Sequence, residues 1–94
     1  MKGPSPVLYT LEIQQSHIEI TKNRWRANAH WYKQREESCF KELVRYIEQI
    51  IRAFESMEPQ YTVAQLYPTA RSLDDQLNRK INNVTYDFYQ SNKN

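Results

Sequence analysis

FKELVRYIEQIIRAFESM, residues 40–57, sets apolar side chains at Phe40, Leu43, Ile47, Ile50, Phe54 and Met57, in steps of three, four, three, four and three. That spacing returns to one side of an α-helix every turn. Toward the N-terminus, Ser16 and Glu19 form a capping-box pair, and no proline or glycine follows until Pro59. The pattern therefore predicts one helix over about residues 16–57, roughly 60 Å long at 1.5 Å per residue. Ile18, Trp25, Ala29 and Tyr32 continue the stripe of Phe40, Ile47 and Phe54 with little angular drift.

Toward the C-terminus, Glu58-Pro59-Gln60-Tyr61 interrupts the helix, and Leu66, Ala70, Leu73, Leu77, Ile81, Val84 and Phe88 form a second seam. Its helix starts at the Thr62/Gln65 capping pair or, if Pro68 restarts it, at Thr69. Between residues 7 and 13, Val7, Tyr9, Leu11 and Ile13 alternate as in a strand, while Ser5-Pro6 offers a helix start; both readings stay open. The expected fold is all-α: an antiparallel helical hairpin of one long helix and a shorter returning helix, with a short N-terminal segment. It forms a single domain over 1–94, with 1–6 and 90–94 loosely ordered.

The two helices do not match in apolar width. Cys39, Val44, Tyr46, Ile51 and Ala53 broaden the first to about half its circumference, whereas Asp74, Asp75, Asn78, Arg79, Asn82 and Asn83 confine the second to a narrow stripe. The surplus apolar surface needs a further helix, from the N-terminal segment or a second copy, and the length mismatch favours the copy. Assembly into an oligomeric helical bundle is expected. A chain of 94 residues also leaves much of its surface wet, which makes association useful.

The formal charge of +2 is too small to imply an anionic partner, but its distribution is uneven. No acidic residue lies between Glu19 and Glu36, while Lys22, Arg24, Arg26, Lys33 and Arg35 do. On a helix Trp25, Ala29 and Tyr32 join the core seam, and Lys22, Arg26, His30 and Lys33 form one flank. Arg24 and Arg35 lie on the other, beside an outward Trp31 with Ile20 and Ala27 near it. Trp and Arg are the usual anchors of protein interfaces, so Arg24, Trp31 and Arg35 are the candidate partner-binding residues, for a protein with an acidic surface. The competing reading gives Lys22, Arg26, His30 and Lys33 to phosphates, with Trp31 stacking on bases, as in nucleic-acid or nucleotide binding.

Chemistry is poorly provided for. Cys39 is the only cysteine, so no disulfide framework and no cysteine zinc site forms within one chain, and His30 lies on a different helical face from it. His17 and His30 have no carboxylate completing a ligand set, and a glycine-rich phosphate loop is missing. We expect no catalytic residues, metal or cofactor. A reducing cytoplasmic location and no membrane association follow from the lone cysteine and from the lack of any window near 18 apolar residues. The expected function is a non-enzymatic, self-associating protein-binding module: an adaptor, inhibitor or regulator.

Overall fold

A computed structural model describes residues 6–93 of the chain. They form three helices, α1 (Pro6–Lys33), α2 (Ser38–Met57) and α3 (Val63–Ser91), and no strand occurs among the described residues. The expected hairpin of two helices is thus a bundle of three. The ambiguous segment 7–13 is the start of α1, with Pro6 as its first residue; Ser5 lies outside the described residues. Pro6, Gln90 and Ser91, expected in loose ends, are helical, while 1–5 and 94 are not described.

The predicted 60 Å helix breaks at residues 34–37. Tyr32 accepts from the Arg35 amide at 3.0 Å, closing α1 with a tight turn, and Glu37, extended at φ −62° and ψ 134°, opens α2 with no side-chain cap. The reason is tertiary. A continuous rod would hold its whole stripe in water, whereas the break folds one half of the stripe onto the other. Trp25 meets Phe54 edge-on at 5.6 Å between ring centres, and Tyr32 meets Phe40 at 5.1 Å. Ile18, Trp25, Leu43, Ile47, Phe54 and Leu77 are buried almost completely. The wide face of α2 is shared between α1 and α3 of the same chain: Phe40, Leu43, Val44, Ile47, Ile50 and Phe54 are buried, Cys39, Tyr46 and Ile51 are half-buried, and Ala53 stays exposed.

The α3 helix starts at the earlier of its two candidate positions. Thr62 and Gln65 form the capping box, with the Thr62 hydroxyl accepting from the Gln65 amide and the Gln65 side chain from the Thr62 amide. Pro68 sits inside the helix rather than restarting it. Because Arg24 and Trp25 both reach Asp74, and His17 packs its ring on Tyr67 at 5.6 Å, α3 runs beside α1 in the same direction, offset by about fifty positions. This stagger lets the first turns of α1 and the last turns of α3 project at opposite ends. The molecule is accordingly 66 Å long and only 25 by 19 Å across.

Asp74 ties the third helix in. Its carboxylate accepts from the Trp25 indole N–H at 2.9 Å and from Arg24 at 2.7 Å. Since Trp25 is wholly buried, losing that acceptor leaves a dry N–H donor unpaired. Asp74→Ala is expected to cost about 1–3 kcal/mol in urea unfolding, and Asp74→Asn, which keeps an oxygen for the indole, to recover most of it.

Candidate functional site

The basic aromatic block lies on the last three turns of α1, and the packing of that helix divides it. Lys22 is buried, with its ammonium 2.9 Å from the Glu58 carboxylate and 3.5 Å from Glu19. Arg26 approaches Glu55 at 3.6 Å and Lys33 approaches Glu48 at 3.4 Å. Three of the four candidate phosphate-binding residues thus meet glutamates. The fourth, His30, shares a 2.9 Å contact with the Gln34 amide.

Arg26, His30 and Lys33 still border one groove between α1 and α2, about 320 Å³ in volume, floored by Ala29 and Ile51 and completed by Glu48 and Arg52. Lys22 is not part of it. Sequence reasoning missed Arg52, although its spacing from Glu48 and Glu55 puts all three on one side of α2.

The candidate partner-binding residues separate as well. Arg24 turns to α3 and is held by Asp74, so it serves the fold. Trp31 and Arg35 come together: the guanidinium carbon lies 3.7 Å from the Trp31 ring centre, and Tyr32 meets the Trp31 ring edge-on at 4.7 Å. Trp31 nevertheless remains half exposed. A stacked cation holds an indole in one orientation, which lowers the ordering cost when that surface docks.

Trp31 is not isolated. Tyr9, Ile13, Ile20 and Ala27 are exposed too, and at 100° per residue all five fall within about 40° of one another, opposite the buried Trp25 and Ala29. The outer face of α1 therefore carries a second apolar stripe. Ile20 and Ala27 were already legible beside Trp31; Tyr9 and Ile13 were hidden by leaving residues 7–13 open between strand and helix. Ser16 and Asn23, small and neutral, border the stripe on one side, and Arg24, whose guanidinium turns to Asp74 on α3, borders it on the other.

The chain matches no family model, and no curated protein or solved structure matches it. Its function has to be argued from these surfaces. Among the described residues no helix is long and apolar enough to cross a membrane, and no group of three His, Cys, Asp or Glu is placed to hold a metal ion.

At the rim of the Trp31 surface, the acidity of Tyr32 is displaced. Burial raises its phenol above the ordinary value of 10.0, nearby Tyr89 adds to the rise, and Arg35 pulls it back. A raised folded-state value means the native protein holds this proton more tightly than the unfolded chain. The stabilisation is present below pH 10 and fades as pH climbs through the folded value. Stability to urea should therefore fall more steeply above pH 10 in the wild type than in Tyr32→Phe, as measured by denaturation at stepped pH.

Proposed function

We propose that this protein is a non-enzymatic binding module that grips another protein through the outer face of α1, with Trp31 as its anchor. The observation that carries the reading is the exposed stripe of Tyr9, Ile13, Ile20, Ala27 and Trp31, set opposite the core face of the same helix. Scattered exposed apolar residues need no explanation, but an aligned row spanning a helix is what a helix-docking surface looks like. Arg35, stacked on Trp31, supplies a cation at the edge and favours a partner with a carboxylate there. An adaptor, inhibitor or regulator works by such occupancy alone.

The alternative, nucleic-acid or nucleotide binding by Lys22, Arg26, His30 and Lys33, is weakened by geometry. Lys22, Arg26 and Lys33 already face Glu58, Glu55 and Glu48, so a phosphate would have to displace a carboxylate at each. What remains in its favour is the basic groove holding Arg52.

Two assays separate the readings. Trp31→Ala should keep the fold within about 1 kcal/mol, since the side chain is half exposed, and should weaken protein capture by immobilised protein at least about tenfold. Undiminished capture by Trp31→Ala sinks the protein-binding reading of this face. Salt-sensitive anisotropy changes of labelled oligonucleotides, lost on Arg26→Glu, would install the nucleic-acid reading in its place.

A further inference from the structure

The exposed stripe of α1 has an internal symmetry. Its apolar positions, Tyr9, Ile13, Ile20, Ala27 and Trp31, are separated by four, seven, seven and four residues, so the row reads the same from either end with Ile20 at its centre. A surface of that kind is complementary to itself under a two-fold rotation perpendicular to the helix, because the two copies then run antiparallel and position 20 + n meets position 20 − n. We infer that the occupant of this face is a second copy of the chain, docked antiparallel along α1 with Ile20 on the two-fold axis. The inference rests on the protein-binding reading of the face and names its partner.

In that arrangement Ile20 packs on Ile20, Ile13 on Ala27, and Tyr9 on Trp31 of the opposite copy. Large residues meet at the two ends of the contact, and the central isoleucines fill its middle. The charges agree with the register. One flank of the stripe carries Glu12 and Glu19 in its N-terminal half and His30 in its C-terminal half, with Arg26 further round the helix, where it also faces Glu55 of its own chain. A two-fold axis sets like flanks side by side with their directions reversed, so Glu12 of one copy lies level with the space between Arg26 and His30 of the other. A parallel two-fold pairing would instead set unlike flanks side by side, leaving Glu12 and Arg26 each across the seam from their own copies. All four flank groups are exposed or partly exposed, as a rim requires. The two bundles stay clear of each other, because the stripe lies opposite the face that α1 buries against α2 and α3.

From Tyr9 to Trp31 the contact is about 33 Å long at 1.5 Å per residue. One helix face of that length gives an interface near the lower bound for specific association, about 1,000 Å² in total. The expected dimer is therefore reversible and forms at micromolar concentration. A reversible pairing also leaves the face available to a heterologous protein able to compete for it.

Single cysteines placed in a Cys39→Ala background test the register under a mild oxidant. Ile20→Cys should cross-link to itself. Ile13→Cys and Ala27→Cys should each stay monomeric alone and form a mixed disulfide when combined. Self-cross-linking of Ile13→Cys as readily as Ile20→Cys would mean parallel pairing and overturn the proposal. Sedimentation supplies the second arm: Ile20→Arg should weaken the dimer at least about tenfold while leaving helicity and thermal melting unchanged, since Ile20 is exposed in the single chain. A dimer that persists in Ile20→Arg, or a wild type that stays monomeric at several hundred micromolar, also refutes self-pairing. Neither result touches the protein-binding reading, which is decided by the Trp31 dependence of capture and needs no dimer.

Discussion

The meeting of Trp25 with Phe54 and Asp74 is the contact on which the bundle depends. Trp25 presses its ring edge against α2 and hands its indole N–H to a carboxylate on α3, so one side chain joins all three helices at mid-length. An indole is too large for a thin two-layer packing to bury and too polar to bury without an acceptor, and the third helix answers both requirements at once. Beyond this junction Leu43, Ile47 and Leu77 close the space between helices. The aromatic contact of Phe40 with Phe88, 4.9 Å between ring centres, fastens the far end.

The same packing decides which charges face the outside world. Glutamates at 48 and 55 on α2, and Glu58 at its C-terminal cap, rise beside the cations at 33, 26 and 22 on α1, in the reversed order that antiparallel neighbours impose. The Arg26 and Lys33 pairs are exposed and add little to stability; the Lys22 contact, partly enclosed, matters more, because removing Glu58 would leave an ammonium in a poorly hydrated place. A block that looks strongly basic along the chain is thus largely neutralised in space. The outer stripe of α1 escapes this levelling because it points away from both other helices.

The core seam was legible from spacing alone: Ile18, Trp25, Ala29, Tyr32, Phe40, Leu43, Ile47, Ile50 and Phe54 all sit where a helical repeat puts them. The interruption of that repeat was not. Gln34, Arg35, Glu36 and Glu37 include neither proline nor glycine, and each is a competent helix former, so no local preference announces the loop. Pro68 left the start of α3 open, since a proline suggests a boundary; it stays within a helix already nucleated by Thr62 and held by Leu66 and Ala70 in the core. At the candidate site, the outward direction of Trp31 and its nearness to Arg35 follow from helical angles. The diversion of Arg24 to Asp74 depends on a neighbour fifty positions away, which periodicity does not report.

The loop at 34–37 gives the fold an unusual nearest competitor. Nothing in those four residues opposes a helix, and the apolar stripe keeps its phase across them, so straightening the hinge demands no new secondary structure. What it forfeits is the contact between the two halves of the stripe, and a second straightened chain lying alongside can return that contact. Exchange of arms between two copies is therefore the characteristic misassembly of this architecture, favoured when the chain folds at high concentration. A residue unable to sit in a helix, introduced at Glu36, would close that route and commit each chain to folding on itself.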